Sequence, residues 1–219
     1  IDKWLLSKLN KLVRDVTNAY EAYDLNKVVK LIVPFLNDDL SNWYIRSNRR
    51  RFWDSELSLS KKAVYQTTYE VLVTLSKLVA PITPYISEEI YTKLTSLESV
   101  HLADFPKCNE ELINEEAEEK MDLVRDICSL GRDARETVNI KVRQPIKEVI
   151  LASSVKDIIG NLDSILKEEL NVKNIVYKTD MTEYLSYSLK PNFKVLGKEL
   201  GPKIKLLQEE LKKLSSNDA

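Results

Sequence analysis

Leu5, Leu9, Leu12, Val13, Val16, Ala19, Tyr20 and Tyr23 recur at steps of three and four, which confines the start of the chain to one apolar helical stripe. Asp24 then offers an N-cap. A second stripe follows in Val28, Ile32, Phe35, Leu36, Leu40, Trp43 and Tyr44. Pro34 lies inside it and is expected to kink or split the helix, since proline removes a hydrogen bond and clashes with the preceding turn. A third helix is predicted over residues 61–79, with Tyr65, Tyr69, Leu72, Leu75 and Leu78 among its apolar positions. Ala80-Pro81-Ile82-Thr83-Pro84 stops it, and Thr83 as N-cap with Pro84 at the first helical position starts a fourth helix through residue 94. Long helices joined by short turns predict an antiparallel bundle.

Residues 96–108 read as irregular, with an extended Val100-His101-Leu102. A fifth helix is predicted over 109–137 on Leu112, Met121, Val124, Ile127, Cys128, Leu130 and Ala134, weakened but not stopped by Gly131. After Asn139 the texture changes. Strands are predicted over 148–152, 172–177 and, more weakly, 185–189, with helices over 158–170 and 202–214. The expected fold is therefore mainly α: an antiparallel helical bundle over 1–144 and a small α+β subdomain over 145–219, divided at Pro145.

Composition removes whole classes of function. With 43% hydrophobic and 31% charged residues over 219 positions, the chain is globular and long enough to bury a core. It has only 4 glycines, and Gly197 and Gly201 fall in one short stretch, so neither a dinucleotide fingerprint nor a P-loop can be written. His101 is the lone histidine, which excludes a histidine metal cluster, and it reads as a surface or partly buried side chain. Cys108 and Cys128 read as ordinary thiols of a reducing, cytoplasmic setting. There is no membrane-span-length apolar run and no signal peptide. A start at Ile1 instead of Met is expected of a piece of a longer chain.

A net charge of −1 hides segregation. Residues 41–62 carry Arg46, Arg49, Arg50, Arg51, Lys61 and Lys62 against Asp54 and Glu56, a balance of +6 − 2 = +4. Residues 109–126 carry eight acids against Lys120 and Arg125, a balance of −6. Those acids read as a solvated helix face that would turn a polyanion to the other side of the molecule. Four arginines in six residues repel one another unless an anion receives them. Guanidinium forks match phosphate oxygens, and Trp43, Tyr44 and Trp53 offer faces to unstacked bases. A charged helix C-terminus, with Trp43 and Trp53 as core or packing lids, is the competing reading. In Asn139-Ile140-Lys141-Val142-Arg143-Gln144-Pro145, Pro145 drives Gln144 extended, so that Lys141 and Arg143 share one face of a strip. That face suits a sugar-phosphate backbone, and it equally suits a solvated linker.

Ile1-Asp2-Lys3-Trp4-Leu5-Leu6-Ser7-Lys8-Leu9-Asn10 is followed in order by Asp38-Asp39-Leu40-Ser41-Asn42-Trp43-Tyr44-Ile45-Arg46 and Arg49-Arg50-Arg51-Phe52-Trp53. Then come residues 78–91, holding Ala80-Pro81-Ile82-Thr83-Pro84, and Ser99-Val100-His101-Leu102. Together these resemble the anticodon-binding region of class I aminoacyl-tRNA synthetases. The Asp-Leu-Ser-Asn-Trp-Tyr-Ile-Arg run and Lys141-Val142-Arg143-Gln144-Pro145 point to the isoleucyl enzyme in its eukaryote-like form, while Ala-Pro-Ile-Thr-Pro is shared with valyl and leucyl relatives. The resemblance is strong over about 1–150, and residues 190–197 look like the C-terminal region of the same enzymes.

That resemblance implies a cytoplasmic parent enzyme of protein biosynthesis, which activates isoleucine with ATP and transfers it to its tRNA. The paired-histidine and Lys-Met-Ser-Lys-Ser signatures of the ATP site are not in this chain, nor is the editing domain. The chain is thus expected to bind tRNA without chemistry of its own, with no cofactor, since ATP and Mg belong to the parent's catalytic domain. The implied partners are isoleucine tRNA and that catalytic domain in cis; no membrane or DNA partner is expected. The candidate tRNA-binding residues are Asn42, Trp43, Tyr44, Arg46, Arg49, Arg50, Arg51, Trp53, Lys141, Arg143 and Gln144. The alternatives are the same domain from a valyl or leucyl relative, or a helical scaffold that binds protein through its acidic helix. A free-standing hydrolase fails for want of a nucleophile–base set.

Overall fold

The computed structural model describes residues 1–184. The strand expected over 185–189, the 190–197 motif and the helix expected over 202–214 lie outside the described residues. In chain order the elements are α1 (Asp2–Glu21), α2 (Leu25–Pro34), a wide helical segment Phe35–Ile45, α3 (Arg49–Trp53), α4 (Leu59–Val79), α5 (Pro84–Thr95) and α6 (Glu115–Thr137). They are followed by β1 (Ile146–Ala152), α7 (Ser153–Ile159), α8 (Asp163–Leu170) and β2 (Val172–Lys178). The chain divides into two compact units. The first holds Ile1–Val149 with Asp157–Ile175, and the described residues of the second are 150–156 and 176–184. β1 and β2 form a two-stranded parallel sheet. The expected mainly helical bundle with a small α+β part is the architecture seen.

α1 is the centre of the first unit. Its expected stripe is buried at Leu5, Leu9, Leu12, Val13, Val16 and Ala19, Trp4 is buried beside it, and the helix packs against α2, α4 and α6. Tyr23 departs from the stripe: it is 92% exposed with φ +56°, because the chain turns there to seat Asp24. Asp24 caps α2 as expected, accepting from the Lys27 N–H at 2.9 Å. Pro34 ends α2, and the backbone continues as a π-type helix in which each turn takes up an extra residue.

The buried face of α4 is Val64, Thr67, Val71, Leu75, Ser76 and Leu78, which takes in the expected Leu75 and Leu78 but not the expected tyrosines. Tyr65 and Tyr69 lie on its flank, half exposed, and the Tyr65 ring meets Phe52 edge-on at 5.4 Å. Val100-His101-Leu102 is one 3-10 turn instead of an extended run. The Ser99 Oγ accepts from the His101 N–H at 3.1 Å and the Glu88 carboxylate accepts from the Val100 N–H at 2.8 Å, bonds that curl the backbone.

α6 starts later than expected, at Glu115, because Asn114 caps it by accepting from the Ala117 N–H at 2.9 Å. Leu112 sits in the preceding turn, and Leu130 is 68% exposed and off the stripe. The expected helix over 158–170 is two helices, parted at Gly160, whose φ is +55°. Among the described residues no helix is long and apolar enough to cross a membrane.

Gly131 lets α6 continue and lets α8 approach it. A Cβ there would stand 2.5 Å from Leu170 Cδ2 and 3.0 Å from Cδ1, so the Leu170 side chain, 2% exposed, would have to shift to admit it. Alanine would gain about 1 kcal/mol of helix propensity but overpack by about 1–3 kcal/mol. Gly131→Ala is therefore expected to destabilise by about 1 kcal/mol and to lower the thermal midpoint by about 2–4 °C in a circular dichroism melt.

Candidate nucleic-acid interface

The residues from Asp38 to Trp53 form two faces with different tasks. Asp39, Leu40, Trp43, Tyr44 and Asn48 point inward and are buried, while Asn42, Arg46, Arg49, Arg50 and Trp53 point to solvent. Trp43 is 4% exposed, and its Nε1–H donates to Met121 Sδ at 3.2 Å. The Arg125 guanidinium lies 5.7 Å from the ring centroids of both Trp4 and Trp43, and donates to Asp39 Oδ1 at 2.6 Å. The Asp39 carboxylate thus holds an arginine against two tryptophans, and the Asp38 backbone carbonyl accepts from the same guanidinium at 3.5 Å. Tyr44 is fully buried, and its hydroxyl donates to Asp2 Oδ1 at 2.8 Å. Trp43 and Tyr44 are core side chains, and neither presents a free face to a base.

Arg51 is also committed. Its two terminal nitrogens donate to Asp2 Oδ1 and Oδ2 at 2.7 Å each, its Nη1 also to Asn48 Oδ1 at 2.8 Å, and its Nε to Ser60 Oγ at 2.9 Å. The Asp2 hydrogen bonds, against a smaller opposing effect of burial, hold its pKa above the ordinary arginine value. The expectation that Arg51 offers itself to phosphate is corrected: its donors are spent on tying α3 to the start of α1 and α4.

Arg46, Arg49, Arg50 and Trp53 remain together at the surface, lining an open cleft of about 410 Å³ with Glu168 and Glu169. The Trp53 ring is 80% exposed. Arg49 makes no ion pair among the described residues. Arg50 Nη1 pairs with Glu168 Oε1 at 3.0 Å, and the Arg46 guanidinium pairs with Glu169. Glu169 also receives Arg132 from α6 and the Ser47 hydroxyl at 3.3 Å. Glu168, Glu169 and Arg132 are not among the residues that the sequence points to. The available signal was two carboxylates in the last turn of a helix, where the dipole disfavours them.

Lys141, Arg143 and Gln144 are exposed, but on a tight turn instead of an extended strip: the Gln144 N–H donates to the Lys141 carbonyl at 2.9 Å. The cause is Arg135, 4% exposed, whose guanidinium gathers four carbonyls. Its Nη1 donates to Lys141 O at 3.2 Å and Gln144 O at 2.9 Å; its Nη2 donates to Leu170 O at 2.5 Å and Asn171 O at 3.2 Å. One buried cation thus curls the turn and caps the C-terminus of α8.

The acidic stretch is not wholly a solvated face. Glu118 is 8% exposed, accepting from the Ser7 hydroxyl and from Lys11 Nζ at 3.0 Å. Ser7 Oγ in turn accepts from the Asn114 N–H at 2.8 Å, and Asn10 Oδ1 accepts from the Asn109 N–H at 2.8 Å. The first ten residues thereby fix where α6 begins. His101 is exposed, burial raises the Cys108 pKa, and it pushes the Cys128 thiol up to about 12. Among the described residues no group of His, Cys, Asp or Glu could hold a metal ion.

Comparison with known proteins matches this architecture. Residues 2–151 fit the family model described as the anticodon-binding domain of tRNA ligase. The isoleucine–tRNA ligase of Cytophaga hutchinsonii is 42% identical over 226 aligned residues, covering 99% of this chain and 20% of that protein. Those of Clostridium tetani and Chlamydia trachomatis serovar D are each 42% identical over 96% of the chain, covering 21% of theirs. The chain spans about a fifth of the length of the curated relatives it matches. With a family model running through its whole helical bundle, the chain belongs to the anticodon-binding domains of tRNA ligases.

Proposed function

We propose that this chain is the tRNA-binding part of an isoleucine–tRNA ligase and contacts its tRNA through the exposed half of the arginine-rich segment. The observation that carries this reading is the cleft where Arg46, Arg49 and Arg50 flank an 80% exposed Trp53, with Arg49 unpaired among the described residues. Guanidinium forks fit phosphate oxygens, and an exposed indole accepts a stacked base. Arg46, Arg49 and Arg50 are assigned to phosphates, and Lys141 and Arg143 to the backbone of the same RNA. Asn42 and Gln144 are assigned to base edges of the anticodon loop and Trp53 to stacking, while Trp43, Tyr44 and Arg51 hold the helix that presents them. The helical part is assigned to 1–144 and the remainder to 145–219. The parent enzyme activates isoleucine with ATP and Mg in a catalytic domain joined to this one in cis, and acts in the cytoplasm.

Labelled isoleucine, valine and leucine tRNAs titrated at several salt concentrations test the reading. Isoleucine tRNA is expected to bind tightest, with log Kd linear in log salt as counterions leave the phosphates. Arg49→Ala is expected to weaken all three tRNAs alike and reduce the slope by about 1. A salt-independent response would sink the assignment.

A further inference from the structure

Two adjacent carboxylates face the arginines of the cleft, and they are built differently. The Glu169 side chain is 9% exposed and is shared by Arg46, Arg132 and the Ser47 hydroxyl, so it is a fixed strut that aims Arg46. The Glu168 side chain is 45% exposed and its one ion pair among the described residues, at 3.0 Å, is with Arg50, itself 83% exposed. An exposed pair of this kind contributes little to stability and is readily exchanged. Both acids stand in the last turn of α8, next to carbonyls at the negative end of the helix dipole. The helix itself gains nothing from a negative charge there.

We propose that Glu168 is an intramolecular stand-in for an RNA phosphate, seated on Arg50 in the free protein and displaced when the RNA backbone enters the cleft. The proposal rests on the reading of the cleft as the RNA contact surface. Arg49, with no ion pair among the described residues, captures the backbone first. A backbone phosphodiester then replaces the Glu168 carboxylate on the Arg50 guanidinium: it carries the same single charge but offers two oxygens to the fork, where Glu168 engages one nitrogen with one oxygen. No covalent bond changes; one ion pair is exchanged for another. Glu168 thereby lowers affinity for any polyanion that needs Arg50 and leaves unaffected one that does not reach it.

Glu168→Gln keeps the side chain's size and removes its charge. It is expected to tighten binding of labelled isoleucine tRNA by up to about fivefold, the worth of a strong exposed pair, with the thermal midpoint unchanged. Arg50→Gln is expected to weaken binding, and adding Glu168→Gln to it should then give no gain. A gain that persists without Arg50 would show general repulsion and overturn the exchange. An unchanged affinity in Glu168→Gln, with normal salt-dependent binding by the unaltered protein, would overturn this proposal alone. Absence of salt-dependent binding by the unaltered protein would overturn the reading of the cleft and the proposal with it.

Discussion

Replacing Trp43 with alanine is expected to lower the midpoint of thermal unfolding by about 6–20 °C and to weaken every tRNA to a similar degree. The indole is 4% exposed among α1, α6 and its own segment, and deleting a buried ring of that size costs about 3–5 kcal/mol through lost burial and the cavity left behind. The damage would spread through Arg125. That guanidinium is seated between the rings of Trp4 and Trp43 and anchored on Asp39, so loss of one ring leaves a cation beside a void. Trp43→Phe should recover part of the loss, since it fills some of the space without the hydrogen bond to Met121. Circular dichroism melts measure the first effect, and titrations with cognate and anticodon-swapped tRNA below the midpoint measure the second. A Trp43→Ala protein that melts normally but no longer distinguishes the two tRNAs would show a base-reading indole instead.

The same side chain marks where sequence stopped being informative. The stripes of α1 and α2, the Asp24 cap and the change of helix type at Pro34 depend on neighbours three or four residues away, and such signals survive in a linear string. Whether Trp43 or Trp53 faces the core depends on the helical period between them. The wide segment ends at Ile45 and the helix is interrupted at Asn48 before α3 begins, so a register counted at ordinary helical spacing from Pro34 is lost before Trp53. The shift in the face of α4 has another source: Tyr65 and Tyr69 are apolar enough to mark a stripe, yet amphipathic enough to rest on its edge, and the smaller Val64 and Val71 are taken inside. The arginine cluster was legible as a cluster. Its division into committed and available members was not, because each deciding partner is remote. Arg51 is taken by Asp2, 49 positions away, and Arg46 by Glu169, 123 positions away. The turn at 141–144 likewise follows from Arg135, whose burial the local string does not show, and from Asn171, 29 positions from Val142.

Arg51→Ala is expected to cost about 2–3 kcal/mol at neutral pH, and the cost should shrink in acid. A buried ion pair that loses one partner costs about 3–5 kcal/mol; here the two side chains are 23% and 26% exposed, which moderates the loss. Burial alone would raise the Asp2 pKa, but the Arg51 hydrogen bonds, then that of Tyr44, outweigh it and hold the carboxyl below its ordinary value of 3.8. A carboxylate depressed in the folded state stabilises the protein above its unfolded pKa, and that stability is lost as pH falls through the folded one. The gap between the unaltered protein and Arg51→Ala is therefore widest above about pH 4 and closes below it as Asp2 takes up a proton. At the alkaline end Tyr44 acts with the opposite sign. Burial first, then the Asp2 charge, raises its pKa above 10.0, so the folded state keeps a proton that the unfolded chain releases, and stability falls as pH rises past 10. Arg51→Lys keeps the charge but not the fork, and should recover only part of the loss. Denaturant midpoints between pH 3 and pH 7 for the three proteins test the account. A difference between the unaltered protein and Arg51→Ala that stays constant across that range would mean the guanidinium acts through its hydrogen bonds to Ser60 and Asn48, and not through the Asp2 charge.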